Sequence, residues 1–119
     1  MNHRVGIALA AALTAACAHQ IEGPIRVVRT AEARGVRLTL IPAPGARINA
    51  RLRPALERPD GSVLRFDSPA VTPDSSYYTA PPELVLPEGK AEAGIVRASV
   101  CPSGESVCRV VSVNVRRRT

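Results

Sequence analysis

The sequence predicts an all-β domain that is built as a sandwich of short strands, and three observations support this prediction. Short runs rich in β-branched residues recur along residues 25–115, and turn signals separate them at close, fairly even spacing. Eleven prolines in 119 residues argue against long helices. Only three aromatic residues occur, so the core has to be built from valine, leucine, isoleucine and alanine.

The first half of the domain contains four predicted strands. They cover residues 25–29, 36–41, 52–58 and 63–66. Residues 42–45 (PAPG) are typical of a turn. Pro59-Asp60-Gly61 is a strong hairpin signal, because aspartate followed by glycine favours the tight turns that join antiparallel strands.

The second half contains three predicted strands and one brief extended piece. The strands cover residues 84–86, 95–100 and 107–115, and the extended piece covers residues 77–79. Residues 68–76 are polar and contain two prolines, which is typical of a loop. Residues 87–94 form a second predicted loop.

The first 18 residues have the pattern of an export signal. A short basic start is followed by an uncharged run over residues 5–16, which is too short to span a bilayer. Residues 16–18 (ACA) fit a signal-peptidase site, and residues 13–17 (LTAAC) resemble a lipobox in which Cys17 carries the lipid. The alternative, a buried N-terminal helix, would place polar residues at helical spacing, and this run has none.

We therefore expect a mature domain in the periplasm or cell envelope. It is either a soluble protein cleaved after Ala18 or a lipoprotein anchored at Cys17. The remaining residues suffice for one domain with a single core. We divide them into an N-terminal strand and linker over 19–35, a β-sandwich over 36–115 and a basic tail over 116–119.

Composition argues against several other functions. The net charge of +6 is modest, and no basic helix or alternation of basic and aromatic residues predicts nucleic-acid binding. The mature chain has one histidine, His19, so neither a Ser/His/Asp triad nor a histidine-based zinc site is expected. No glycine-rich phosphate loop occurs, and we predict no cofactor and no metal.

Of the three cysteines, two remain as a pair in the mature protein. Because Cys17 belongs to the export signal, it is either removed or capped by lipid. Cys101 and Cys108 remain, and an exported protein meets an oxidising compartment in which such a pair forms a disulfide.

The two cysteines flank a predicted turn between the two strongest strands. In the simplest register Cys101 lies opposite Cys108, and Val96 lies opposite Val113 on the other face. The remaining predicted pairs are Arg97–Ser112, Ala98–Val111 and Ser99–Val110. One face is then apolar and the other, which carries the cysteines, is largely polar. A non-hydrogen-bonded pair would place the two Cα atoms roughly 4.5 Å apart, a distance that a disulfide accepts.

Spacing leaves two roles open for this disulfide. A loop of this size stabilises the fold by roughly 2.5 kcal/mol, against nearly 5 kcal/mol for a 100-residue loop. A plain structural bridge is one role. Exchange with the thiol of a partner is the other. Arg109, and Arg97 if it lies on the same face, would favour the thiolate, whereas Glu105 would oppose it.

Residues 101–108, the flanking strands and residues 46–50 (ARINA) resemble the disulfide-bond-corrector family. That family includes the N-terminal periplasmic domain of the membrane thiol reductase DsbD. The resemblance covers residues 36–115. Its marks are a "hIN" element after a glycine-containing turn, which residues 45–49 match, and a C-terminal hairpin with two cysteines. It implies an immunoglobulin-like β-sandwich in which Cys101 and Cys108 alternate between disulfide and dithiol.

The resemblance also implies a cap over the cysteines. In the DsbD domain an aromatic loop shields them until a partner docks, and residues 74–78 (DSSYY) occupy a similar place in this chain. Tyr77 and Tyr78 are therefore the cap candidates. The alternative is that both tyrosines fill the core of an aromatic-poor protein.

The leading functional prediction is an exported thiol–disulfide exchange domain that uses Cys101 and Cys108. Its expected partners are periplasmic thiol–disulfide proteins or a membrane electron donor, since the chain lacks an electron conduit of its own. The alternative is a non-enzymatic envelope module with a purely structural disulfide. Either cysteine could attack first, and electrons could flow in either direction.

Overall fold

The computed structural model describes residues 19–89, 93–102, 104–105 and 107–116. Within these ranges the chain forms nine strands. They are β1 His19–Glu22, β2 Ile25–Glu32, β3 Gly35–Pro42, β4 Arg47–Ile48, β5 Ala55–Glu57, β6 Val63–Arg65, β7 Glu83–Pro87, β8 Gly94–Cys101 and β9 Arg109–Val115. The predicted export signal with Cys17 lies outside the described residues, as do residues 117–119. Over the described ranges, no helix is long and apolar enough to cross a membrane.

The strands form two antiparallel sheets, which confirms the all-β prediction. One sheet has the order β1-β2-β3-β7. In the other sheet β8 is central: β9 pairs along one edge, while β4 and β5 pair with opposite ends of the second edge. β6 extends this sheet beyond β5.

A single core lies between the two sheets. The first sheet contributes Ile25, Val27, Leu38, Leu40 and Leu86. The second contributes Ile48, Leu56, Val96, Ala98, Val100, Val113 and Val115. Phe66 is the one aromatic residue in this group and is fully buried, so aliphatic side chains supply most of the apolar area, as the composition predicts.

The turn between β5 and β6 confirms the hairpin signal at Asp60-Gly61. The Asp60 carboxylate accepts hydrogen bonds from the backbone N–H and the hydroxyl of Ser62. Both bonds lower the pKa of Asp60 below its usual range, and the bond from the Ser62 hydroxyl has the larger effect. Gly61 has φ +92°, a conformation that favours glycine.

The N-terminal boundary of the domain differs from the prediction. β2 pairs with β3 along its whole length, and Ile25 and Val27 are in the core. Residues 19–35 are therefore part of the first sheet rather than a strand and linker that precede a domain starting at residue 36. β1 and β4 were not predicted, and the strand predicted over residues 52–58 is limited to Ala55–Glu57.

Candidate functional site

The β8–β9 hairpin has the predicted register and carries the predicted disulfide. Val96 pairs with Val113, and Arg97 with Ser112. Cys101 and Cys108 continue this register and are joined through their Sγ atoms, with the Cα atoms 3.9 Å apart. This spacing is nearer to that of a non-hydrogen-bonded pair, about 4.5 Å, than to the roughly 5.5 Å of a hydrogen-bonded pair.

The two sulfur atoms lie in unlike surroundings. Cys101 is on the central strand, between β4 and β9, and only 1% of the residue is exposed. Cys108 immediately precedes β9, has a neighbouring strand on one side only, and is half-buried. Val107 next to it is 64% exposed. A thiol that approaches from solvent therefore has better access to Cys108.

β4 places an arginine in the same cross-strand row as the disulfide. Arg47 pairs with Cys101 across the sheet, so the two side chains leave the same face. Side chains directly opposite on antiparallel strands have Cβ atoms roughly 4.5–5.5 Å apart. Arg47, Cys101 and Cys108 thus form one cross-strand row, which we call the disulfide row.

Tyr77 lies in the neighbouring row on the same face. It forms a β-bridge with Asn49, whose backbone N–H donates to the carbonyl of Ser99. The Tyr77 ring lies against the Arg47 guanidinium, with 3.8 Å between the guanidinium carbon and the ring centroid. This is a cation–π contact. One strand, β4, separates Tyr77 from the strand of Cys101.

The loop before Tyr77 is held by its own polar side chains. The hydroxyl of Thr72 donates to the Asp74 carboxylate, and the backbone N–H of Ser76 donates to both side chains. The hydrogen bonds to the Asp74 carboxylate lower the pKa of Asp74, and the bond from Thr72 has the largest effect. Ser75 takes a left-handed conformation, with φ +63°. The ring of Tyr77 is therefore presented by an ordered turn.

Tyr78 points to the opposite face. Its backbone N–H donates to the carbonyl of Ile48, and its ring packs against the core. Burial raises the pKa of its phenol. The alternative that the tyrosines fill the core thus describes Tyr78, whereas Tyr77 shares a face with the disulfide.

The two arginines expected to act on the cysteines are engaged elsewhere. Arg97 lies on the disulfide face, as predicted, but its guanidinium pairs with Glu57 and also donates to the Ser112 hydroxyl. Arg109 pairs with Val100 in the ladder and therefore leaves the other face. Its guanidinium lies 3.4 Å from the Glu105 carboxylate.

Arg47 differs from both. Among the described residues, no carboxylate lies within 4.0 Å of its guanidinium. The family resemblance drew attention to residues 46–50. The sequence around Arg47, however, does not indicate that this residue lies opposite Cys101. This residue is the feature of the site that sequence reasoning missed.

The arrangement brings together groups that are suited to sulfur chemistry. No cluster of three or more His, Cys, Asp or Glu residues that could hold a metal ion occurs in the described ranges. An accessible sulfur, a buried sulfur and an adjacent cation instead lie in one row.

Comparison with known proteins adds no relative: no family model, curated protein or solved structure matches this chain. The resemblance to the disulfide-bond-corrector family therefore remains a prediction from the residues quoted above.

Proposed function

We propose that this chain is an exported thiol–disulfide exchange domain with an immunoglobulin-like sandwich, in which Cys101 and Cys108 are the redox pair. The observation that carries the proposal is the unequal burial of the two cysteines. Exchange requires one sulfur that a partner thiol can attack. It also requires a second sulfur that leaves as a thiolate when the disulfide breaks and that bonds to the first again when the disulfide re-forms. Half-buried Cys108 and fully buried Cys101 fit these two roles.

The exchange proceeds in two balanced steps. A partner thiolate attacks Sγ of Cys108, the Cys101–Cys108 bond breaks, and its electron pair stays on Cys101 as a thiolate. A second thiolate of the partner then attacks the mixed disulfide and releases Cys108. The partner is oxidised to a disulfide and this domain is reduced to a dithiol. The reverse sequence reduces a partner.

Arg47 supports this order. A thiolate on Cys101 is disfavoured by burial, because charge is costly away from water. Arg47 occupies the position directly opposite, and its positive charge on the same face would offset part of that cost. Access then sets the order: the partner attacks the more exposed Cys108, and Cys101 is the sulfur that leaves.

Location and partners are part of the proposal. The predicted export signal supports a location in the periplasm or envelope, where the partners would be thiol–disulfide proteins or a membrane electron donor. Lipidation at Cys17 would hold it at a membrane. The intact mass of the mature protein distinguishes cleavage after Ala18 from a lipidated Cys17.

A redox titration tests the proposal. Oxidised and reduced protein are equilibrated in glutathione buffers, and the free thiols are counted by alkylation and mass spectrometry. We expect a potential above about −300 mV, the range of exchanging pairs. A value below it identifies a structural bridge and contradicts the proposal. Protein with Cys101→Ala and Cys108→Ala is the blank for non-specific thiol chemistry.

The order of attack has its own test. With oxidised glutathione as probe, the reduced Cys101→Ala variant should form an adduct at Cys108 faster than reduced Cys108→Ala forms one at Cys101. Equal rates would remove the assigned roles. The alternative function, an envelope module with a structural bridge, is favoured by the deep burial of Cys101. It predicts a potential below about −300 mV.

A further inference from the structure

The charges around the disulfide row are unevenly compensated. Arg97 and Arg109 each have a glutamate partner, whereas Arg47 has no carboxylate partner among the described residues. Its contact with Tyr77 fixes the guanidinium without neutralising it, because the ring carries no net charge. One net positive charge therefore lies on the disulfide face, against Tyr77 and on the strand next to that of Cys101.

The surface on the other side of Cys108 is apolar and open. Val110 lies on the disulfide face, opposite Ser99, and is 66% exposed. Val107 is exposed to a similar degree. A partner that reaches Cys108 thus meets valine side chains next to it and, on the far side of Cys101, the exposed residue Arg47.

We propose that Arg47 makes this site selective for anionic partners, namely proteins whose reactive thiol or disulfide is flanked by a carboxylate. The inference rests on the proposed function and names the class of partner. A carboxylate that docks within about 6 Å of the guanidinium gains attraction, whereas an ammonium group is repelled. In such a complex the carboxylate and Arg47 compensate each other, as Glu57 and Arg97 already do.

Two charged disulfides serve as probes. Protein reduced with a phosphine is mixed with 3,3′-dithiodipropionate, which carries carboxylates, or with cystamine, which carries ammonium groups. Cys108 attacks the probe and expels one thiolate. Cys101 then attacks the mixed disulfide and expels the second, so two electrons pass from the protein dithiol to one probe molecule. The ratio of the two rates is divided by the same ratio for dithiothreitol, which corrects for intrinsic reactivity.

We expect the corrected ratio to favour the anionic probe by about tenfold at low ionic strength and to approach one in about 0.5 M salt. Arg47→Gln should lower the ratio to about twofold or less, Arg47→Lys should retain it, and Arg47→Glu should reverse it. The matched control is Arg65→Gln, because Arg65 is exposed on the same sheet but lies beyond β5.

Two results would overturn the inference. One is a wild-type ratio that persists in Arg47→Gln. The other is an equal loss in Arg65→Gln, which would identify the general basic charge of the protein as the cause. The reaction starts from the dithiol, and a pair with the low potential of a structural bridge would reduce both probes more readily, not less. A failure of the proposed function would therefore appear in the glutathione titration and leave this ratio measurable.

Discussion

Two long hairpins of this protein are closed in different ways. β2 and β3 pair over eight residues and turn through two residues that precede Gly35. Arg37 on β3 bridges the carboxylates of Glu32 and Glu83. β8 and β9 pair over seven residues and are joined by a disulfide next to the turn.

The comparison shows that a hairpin of this length forms in this protein without a disulfide. β2 and β3 reach a similar length of pairing with a tight turn, surface charges and buried side chains alone. β8 and β9 have comparable support, since Val96 and Val113 are fully buried at the centre of their ladder. The disulfide is thus an addition to a hairpin that buried side chains also hold, as the proposed exchange function requires.

Alanine substitutions of the glycines at the two turns should show the largest difference in stability between the two hairpins. Gly35 has φ +152°, and a Cβ there would clash with the backbone carbonyl oxygen of Leu86. We expect Gly35→Ala to lower the free energy of unfolding by about 2–4 kcal/mol, measured by urea denaturation. Gly104 is the matched control, because it has φ +78° but a Cβ there would meet no atom within 4 Å. Gly104→Ala should cost about 1 kcal/mol, and an equal cost at both sites would contradict this view.

Removal of the disulfide should have the next largest effect. We expect the double variant Cys101→Ala, Cys108→Ala to lose about 2.5 kcal/mol of unfolding free energy, because the short loop no longer restrains the unfolded chain. Its circular dichroism should still report an all-β fold. A double variant without cooperative unfolding would show that β8 and β9 depend on the bond.

Truncation of the tyrosines should sharpen the contrast at the disulfide face. If Tyr77 and the Arg47 that it holds cap the disulfide face, Tyr77→Ala uncovers it, so iodoacetamide should alkylate reduced Cys108 about two- to fivefold faster, in line with an exposed cation–π contact. Tyr78→Ala should lower stability instead, because that ring packs on the core. Unchanged alkylation in Tyr77→Ala would remove its capping role.

The smallest expected effect concerns the charges on the first hairpin. The hydrogen bond from Arg37 lowers the pKa of Glu32 in the folded protein. The ion pair therefore stabilises the fold above the ordinary pKa of a glutamate, and this contribution is lost as pH falls through the lowered value. Glu32→Gln should flatten the decrease of melting temperature between pH 5 and pH 3, about the range in which carboxyl groups protonate. Glu88→Gln, on an exposed residue after β7, should not.

Local features of the site could be predicted from sequence. The strands of the cysteine hairpin alternate clearly and are joined by a short loop, so register, faces and disulfide all followed from spacing. The hairpin at Asp60-Gly61 was predictable for the same reason, since a turn of this kind is encoded by adjacent residues.

Features that depend on distant pairing could not be predicted. β4 has two residues and shows no periodicity, and its neighbours Asn49 and Ser99 are 50 residues apart in sequence. The position of Arg47 opposite Cys101 depends on that pairing. Adjacency was also misleading: Arg109 follows Cys108 in the chain, yet alternation directs it to the other face.

The pairing of β4 with β8 also bears on the order of events during biogenesis. Cys101 and Cys108 are seven residues apart, and loops of this size close in roughly tens of nanoseconds, so the thiols meet in an unfolded chain. Arg47 joins them only when two remote segments of the chain dock. If the chain is exported and exchanges disulfides as proposed, it would oxidise as an ordinary thiol pair, and discrimination between partners would begin only once folding is complete.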